Sequence, residues 1–258
     1  MYSYTHSTFI SRKLTVLVKM LVEQKHIHDL VVDKFGNYFL QTLLSNVDEV
    51  SFNMLVVTLT EDSNRFSELC THQFGSHVVQ AAINMSGGNV RSSALLATSL
   101  CDNIESIAKH FLGSICLIHA IDSLVPSAGF KPIFSSHWQS LSLSRHGHVV
   151  MIHALDRYDD DFLYTVGDLT LNSLESFISD DFGYRVLLHL LKQLQVRRLS
   201  QTAFVSKLVG LIKFNAKYFR IIEYLVLNFP ENVQVKKTLI PTIAKIVRKG
   251  FVPILSNN

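Results

Sequence analysis

The sequence predicts an all-α protein in which short helical repeats stack into a right-handed α-solenoid. Six segments of similar sequence recur along the 258 residues, and apolar residues recur at helical spacing inside each of them. Successive segments lie 34 to 39 residues apart, a period that is typical of helical solenoids. Their anchor positions are Gly36, Gly75, Gly113, Gly147, Gly183 and Tyr218. We therefore expect a superhelix of three-helix repeats.

A core-facing helix is expected to follow each anchor. Residues at offsets 3, 4, 7 and 8 from the anchor are apolar in all six copies, beginning with Phe39, Leu40, Leu43 and Leu44. At about 100° per residue these offsets form one helical face. Offsets 1, 2 and 5 cluster on the opposite face, which we expect to be exposed. The anchor glycine just before the helix would let two backbone segments approach closely.

Further amphipathic segments lie between these helices and complete the repeats. They span residues 14–23, 51–59, 93–100, 163–177 and 203–212. We predict a single repeat domain over residues 1–258. Its repeats are placed at residues 9–47, 48–87, 90–125, 128–160, 161–196 and 197–232, followed by a C-terminal half-repeat at 233–258.

The composition and the distribution of apolar residues exclude several classes of protein. A hydrophobic fraction of 48% with 17 Phe excludes a disordered chain. No stretch approaches the run of about 18 apolar residues that a membrane span needs, so no membrane partner is expected. The N-terminal residues lack the features of a signal peptide, and the three cysteines have no regular spacing. We expect an intracellular protein with reduced thiols.

The charges are distributed unevenly along the chain. Residues 192–258 carry a net charge of +10, whereas residues 1–191 carry a net charge of −7. Lysine and arginine displace condensed counterions from phosphates, so a basic block of this density is a candidate surface for a polyanion. A solvated basic face is the simpler interpretation.

Two of the repeats resemble the Pumilio (PUF) family of RNA-binding proteins. The segments FGNYFLQ at residues 35–41 and FGSHVVQ at residues 74–80 are similar to the family signature of an aromatic residue, Gly, two variable positions, two apolar residues and Gln. The period extends this resemblance over the whole chain. It implies a Pumilio-like superhelix that binds single-stranded RNA on its concave face.

The resemblance also implies which side chains contact RNA. In the first two repeats they are Asn37, Tyr38, Gln41, Ser76, His77 and Gln80. By the family's recognition code, the Asn and Gln of the first repeat would hydrogen-bond uracil while the Tyr stacks. The Ser and Gln of the second would suit adenine while the His stacks. Family RNA runs antiparallel to the protein, so the two repeats together would read 5′-AU-3′.

The later repeats depart from this pattern. At offset 5, where the family has Gln or Glu, the chain has Ile118, Ile152 and Leu188, which offer a base no hydrogen bond. Three repeats are therefore expected not to discriminate between bases. Their remaining polar residues, which would contact phosphate or stack, are Ser114, His148, Tyr184 and Arg185. In the sixth repeat Phe219, Arg220 and Glu223 occupy the contact offsets, which would let Glu223 accept from guanine with Arg220 stacked.

The function implied by the resemblance is sequence-biased binding of mRNA, for example in a 3′ UTR, by a monomeric cytoplasmic regulator of translation or stability. Protein effectors would bind its convex face. A second interpretation is a nucleolar branch of Pumilio-like proteins, which works in ribosome biogenesis and binds RNA with little sequence specificity. The segment RHGHVVMIHALDRYDDD at residues 145–161 resembles that branch. A third interpretation is a protein-binding helical-repeat scaffold.

No catalytic motif, cofactor or metal site is predicted. His119, His153 and His189 all occupy offset 6 of their repeats, so they repeat one structural position instead of converging on an ion. The acidic residues at 156 and 159–161 lack the Gly and terminal Glu of an EF-hand loop. We interpret them, and Asp180 with Asp181, as residues of a solvated loop that cap helices.

Overall fold

The computed structural model describes residues 2–124, 129–197, 201–213 and 218–248. All regular elements within these ranges are helices, as the repeat pattern predicts. The chain divides into two compact units, Met1–Arg157 and Tyr158–Asn258. In the described residues, no helix has the length and apolar character needed to cross a membrane.

In the described residues, the first unit has twelve helices. They are α1 (Tyr2–Glu23), α2 (Ile27–Val32), α3 (Gly36–Asn46), α4 (Glu49–Thr60), α5 (Ser63–Thr71), α6 (Gly75–Met85), α7 (Val90–Asp102), α8 (Ile104–Lys109), α9 (Phe111–Ser123), α10 (Phe130–Ser136), α11 (Trp138–Ser142) and α12 (Gly147–Arg157). Taken in groups of three, they follow one plan: an outer helix, a short helix, and the helix that begins at or near the anchor glycine.

The second unit continues the same order. It contains α13 (Asp160–Asn172), α14 (Leu174–Ser179), α15 (Asp181–Val196), α16 (Gln201–Leu211), α17 (Phe219–Asn228), a π-helical turn (Val235–Leu239) and α18 (Ile240–Arg248). The amphipathic segment predicted at residues 163–177 is two helices, because the chain leaves helical geometry at Ser173.

The predicted core face is confirmed with two exceptions. Nearly all residues at offsets 3, 4, 7 and 8 are buried, among them Val79 and Leu117 at 0% exposure. The exceptions are Phe39, which is 42% exposed, and the partly buried Val226. They lie in the first and the sixth copy, so only the outermost copies depart from the pattern.

Close backbone approach explains four of the anchor glycines. A Cβ atom on Gly36, Gly75, Gly113 or Gly147 would lie less than 3.0 Å from the carbonyl oxygen of the residue six positions earlier. That residue belongs to the short helix that precedes the anchor, so the glycine lets two helices of one repeat meet. The requirement for glycine is therefore steric, and it recurs with the period of the sequence.

A hydrogen-bond acceptor lies three residues before each anchor glycine and caps the following helix. These acceptors are Asp33, His72, His110, Ser144 and Asp180. Each accepts at least one backbone N–H that the first helical turn leaves unpaired. The N–H of Gly36, followed by that of Phe35, lowers the pKa of the Asp33 carboxyl. Asp159 likewise caps α13, as we expected for the acidic loop.

The histidine cap of α6 makes a stability prediction. The Nδ1 atom of His72 accepts from the backbone N–H of Phe74 and of Gly75 at 3.2 Å. We expect His72→Ala to lower the free energy of unfolding by about 1 kcal/mol, because these donors lose their acceptor. His72→Asp should retain wild-type stability, because Asp33 performs the same role. Chemical denaturation checks this with Gln73→Ala as the control; equal loss in all three variants would refute the capping role.

The three cysteines are free thiols. Burial raises the pKa of the Cys70 thiol well above its ordinary value and that of Cys101 to about 11. The two fully buried thiols, Cys70 and Cys116, lie in neighbouring repeats, and the Sγ atom of Cys116 is 3.7 Å from the carbonyl oxygen of Cys70. They are part of the packing between repeats.

Candidate nucleic-acid interface

Four equivalent helices of the first unit pack in a row. Helix α3 packs on α6, α6 packs on α9, and α9 packs on α12. Each of them carries the same offsets from its anchor glycine, so a side chain at a given offset recurs on neighbouring helices of the row. The predicted RNA contacts of the first two repeats lie on α3 and α6, which are adjacent.

The structure exposes the predicted stacking residues. The Tyr38 side chain is 67% exposed, and His77 is exposed at the equivalent place on α6. Gln41 and Gln80, one turn further along their helices, are half-buried with part of the side chain open to solvent. Each helix therefore presents an aromatic ring beside a carboxamide.

Our expectation that offset 1 is exposed is wrong. Asn37 is 1% exposed and Ser76 is 0% exposed, and the residues at the same offset in the next three copies are buried as well. Offset 1 lies in the first turn of its helix. In the first copy its side chain bonds back to the loop that enters the helix, which removes it from solvent.

Hydrogen bonds occupy the Asn37 carboxamide almost completely. Its Nδ2 atom donates to the carbonyl oxygens of Asp33 at 3.0 Å and Lys34 at 2.8 Å. Its Oδ1 atom accepts from Nε2 of Gln41 at 3.0 Å. Asn37 thus fixes the orientation of Gln41, which keeps its Oε1 atom and its second N–H for a ligand.

In the second repeat, the glutamine contacts a thiol and not an asparagine side chain. Gln80 Nε2 lies 3.9 Å from Sγ of Cys116 on the neighbouring helix, a weak contact because thiol sulfur is a poor acceptor. The Ser76 hydroxyl is buried and has no hydrogen-bond partner in the described part of the chain. The serine and glutamine that resemble an adenine reader are therefore less firmly held than the asparagine and glutamine of α3.

The third and fourth repeats carry the expected aliphatic residues. Ile118 and Ile152 are half-buried at offset 5. Ser114 and His148 are buried and bond to the backbone. The Ser114 hydroxyl donates to the carbonyl oxygen of Phe111 at 2.7 Å, and Nδ1 of His148 lies 3.2 Å from the carbonyl oxygen of Ser144. Buried and bonded in this way, the serine and the histidine are poorly placed for the phosphate contacts that we expected.

The second unit holds the remaining predicted contacts. Arg185, Arg220 and Glu223 are exposed, and Phe219 is half-buried. The Arg220 guanidinium lies over the ring of Tyr184, 4.2 Å from its centroid, and its Nη1 atom is 3.2 Å from Oδ1 of Asp181. Arg220 therefore has two partners within the protein, Tyr184 and Asp181, and the repeat pattern indicated neither contact.

Much of the basic block is paired with carboxylates of the same unit. The ion pairs are Arg197 with Asp160 at 3.4 Å, Lys207 with Asp168 at 3.0 Å, Lys213 with Glu175 at 3.2 Å, Arg220 with Asp181 at 3.2 Å and Lys236 with Glu231 at 2.6 Å. The hydrogen bond from Lys213 to Glu175 raises the pKa of the lysine. Three further basic residues of the block, Arg198, Lys217 and Lys249, lie outside the described residues. The +10 block is less available to a polyanion than its sequence suggests.

Comparison with known proteins identifies the repeat. Residues 26–59 and 65–93 match the family model of the Pumilio-family RNA binding repeat, and they include α3, α6 and both candidate readers. In these two ranges the chain is similar to Pumilio-family RNA-binding repeats. The matched ranges contain Gly36 and Gly75, their capping residues Asp33 and His72, and both aromatic-carboxamide pairs, so the resemblance noted in the sequence is confirmed.

The relatives are distant in sequence and similar in fold. The chain is 24% identical over 173 residues to Pumilio homolog 9 of Arabidopsis thaliana, a match that covers 65% of this chain and only 30% of that protein. Among solved structures, the RNA-binding domain of yeast Puf5p bound to SMX2 RNA superposes with a TM-score of 0.78 at 15% identity, covering 93% of this chain and 75% of that one.

A second solved structure shows the same fold. The Puf4 RNA binding domain bound to the HO endonuclease RNA 3′ UTR recognition sequence gives a TM-score of 0.68 at 21% identity. The superposition covers 95% of this chain and 76% of that domain. The described helices therefore have the α-solenoid fold of Puf RNA-binding domains.

The repeated histidines at offset 6 link neighbouring repeats. His119 Nδ1 lies 3.0 Å from Oδ1 of Asn84, and His153 Nε2 lies 2.9 Å from Oδ1 of Asp122. In both pairs a residue at offset 6 meets a residue at offset 9 of the preceding repeat. Among the residues that the structure describes, no group of three or more His, Cys, Asp or Glu is placed to hold a metal ion.

Proposed function

We propose that this protein binds single-stranded RNA across the row of helices α3, α6, α9 and α12. One observation carries the proposal: two helices in contact, α3 and α6, each present an exposed aromatic ring beside a half-buried glutamine. The ring can stack on the face of a base, and the carboxamide can pair with its edge. Both helices lie within the ranges that match the Pumilio repeat.

Stacking would supply most of the affinity at these positions. Tyr38 is open on α3, and His77 is open one repeat further along. Stacking of a base on an aromatic side chain contributes about 1–3 kcal/mol in single-strand binders. It depends little on base identity, so it would anchor the strand while the glutamines discriminate.

Base discrimination rests mainly on Gln41 and Gln80. With Asn37 engaged in three hydrogen bonds, Gln41 offers one acceptor and one donor side by side, which suits the edge of uracil. Asn37 acts as a positioning residue in this conformation. On α6, Gln80 would face adenine, and the orphaned Ser76 hydroxyl would gain a partner if the base reached it.

We further propose that the bound RNA is mRNA and that the protein regulates translation or stability in the cytoplasm, with effectors on the convex face. The solved relatives Puf4 and Puf5p are complexes with RNA, and the Puf4 ligand is a 3′ UTR recognition sequence. The ribosome-biogenesis alternative draws on a free basic surface. The ion pairs of Lys207, Lys213 and Arg220 weaken that alternative.

Selection from a random RNA pool tests the proposal. The purified chain is incubated with single-stranded RNA at physiological salt, and the retained RNA is sequenced. We expect enrichment of a short sequence that contains AU. Salt-sensitive retention without a shared sequence would favour the ribosome-biogenesis alternative. An absence of retention would contradict RNA binding and favour a protein-binding scaffold.

The ion pairs of the second unit predict a salt effect. If Lys213 and Arg220 contact phosphate, Glu175→Gln together with Asp181→Asn should raise RNA affinity at low salt, because both cations lose their internal partner. The slope of log affinity against log salt should steepen by about 0.7 for each cation released onto a phosphate of a single strand. Fluorescence anisotropy across a salt series measures the slope.

The matched control is Glu105→Gln, which frees Lys109 in the first unit outside the basic block. It should leave the slope unchanged. If the double variant behaves like this control, the basic block does not contact the RNA.

A further inference from the structure

The third and fourth repeats present an apolar surface on α9 and α12. At the equivalent place on α3 and α6, the first two repeats present an aromatic ring and a glutamine. Phe111 is the first residue of α9, and Ile115 and Ile118 follow at spacings of four and seven, which places all three on one helical face. Phe111 is 58% exposed, and the two isoleucines are half-buried. On α12, Val149 at 43% exposure occupies the offset that Tyr38 and His77 hold in their repeats.

An aromatic pair joins these two helices at this surface. The ring of His146, just before α12, meets the ring of Phe111 edge to face, with centroids 5.7 Å apart and planes at 63°. An edge-to-face contact occupies one face of one ring, so other ring faces stay open to a third aromatic group. The exposure of Phe111 shows that its side chain is accessible.

We propose that Phe111 and His146 form a stacking site for an unread nucleobase, the one directly 5′ of the AU step. The inference rests on the proposed RNA binding. A strand that follows α3 and α6 continues over α9 and α12, which pack next in the row. With Ile118 and Ile152 at the edge-reading offset, the site holds the base by its face and accepts any of the four bases.

The charges around the pair favour a nucleotide over an apolar peptide. Arg145 is exposed beside His146, so the phosphate of a stacked nucleotide would have a cation nearby. Burial, followed by the positive charge of Arg145, lowers the pKa of His146. Its ring is therefore neutral at physiological pH and serves as an aromatic surface instead of a phosphate ligand.

Abasic substitution in the RNA is the direct test. A short labelled RNA carries one AU step in a cytidine background, with each of the four bases or an abasic sugar at the position 5′ of the A. We expect the four bases to bind within about twofold of one another. The abasic RNA should bind about 5- to 150-fold more weakly, which is the loss of one stacked base.

Protein variants assign the loss to the pair. Phe111→Leu keeps apolar area and removes the aromatic face, so it should bind every RNA of the series as weakly as wild type binds the abasic one. Phe111→Trp should retain wild-type affinity. Val90→Ala, which truncates a side chain of 70% exposure on α7, is the control and should bind as wild type does.

The outcomes separate this inference from the proposed function. Full affinity for the abasic RNA, full affinity of Phe111→Leu, or a strong base preference at this position would each overturn the stacking site while RNA binding stands. If the wild-type protein binds no RNA of the series, then RNA binding itself fails and the stacking site fails with it.

Discussion

Gly113→Ala is expected to lower the free energy of unfolding by about 1–3 kcal/mol, the usual cost of inserting a methyl group into a packed interior. The new Cβ atom would lie within van der Waals overlap of the carbonyl oxygen of Ile107 and of its carbonyl carbon, which is 2.9 Å away. These are backbone atoms at the end of α8, so the contact is relieved only by moving α8 away from α9. Chemical denaturation followed by circular dichroism measures the loss.

Two other glycines provide controls for this prediction. Gly88 and Gly210 have no atom within 4 Å of a built Cβ. Gly88→Ala should be neutral, and Gly210→Ala should stabilise α16 by about 0.5–1 kcal/mol because alanine restricts the unfolded chain and favours the helix. Equal destabilisation by Gly88→Ala and Gly113→Ala would show that close approach is not the reason for the anchor glycines.

The sequence predicted the packing of the repeats because the helical side that is buried is also the side on which apolar residues recur. Offsets 3, 4, 7 and 8 lie on one side of a helix, and only an apolar side can face a continuous core. The anchor glycines were predictable for the same reason, since the approach of α8 to Gly113 recurs at Gly36, Gly75 and Gly147. Phe39 departs from this pattern, because it is apolar at offset 3 and yet 42% exposed.

The candidate site was less predictable, because its details depend on contacts between segments. Angular position placed Asn37 on the open face, but the loop before α3 bonds to its side chain and buries it. Arg220 has a charge that predicts phosphate binding, yet its partners Tyr184 and Asp181 lie 36 and 39 residues earlier in the chain. Phe111 and His146 meet only because α9 packs on α12. Sequence spacing indicated Asn37 and Arg220 without indicating their partners, and it indicated neither Phe111 nor His146 as part of a site.

The change with the largest expected effect on RNA recognition is the double substitution Asn37→Ser with Gln41→Glu. It replaces the carboxamide of α3, which offers one donor and one acceptor, by a carboxylate that only accepts. The edge of guanine offers two adjacent donors, whereas uracil offers one, so the preferred base at the 3′ position of the AU step should change from U to G. A well-placed pair of hydrogen bonds contributes about 1–3 kcal/mol of discrimination.

Competition between RNAs that differ only at that base measures the switch, expected as a change of about 5- to 150-fold in the affinity ratio. Asn37→Ser alone is informative, because it removes the acceptor that holds Gln41 at 3.0 Å; we expect it to weaken the preference for U without creating one for G. The equivalent change in the third repeat, Ile118→Glu, is the matched control and should leave the base at the α3 position unaffected. If the double variant still prefers U, discrimination does not depend on Gln41, and α3 contributes stacking by Tyr38 alone.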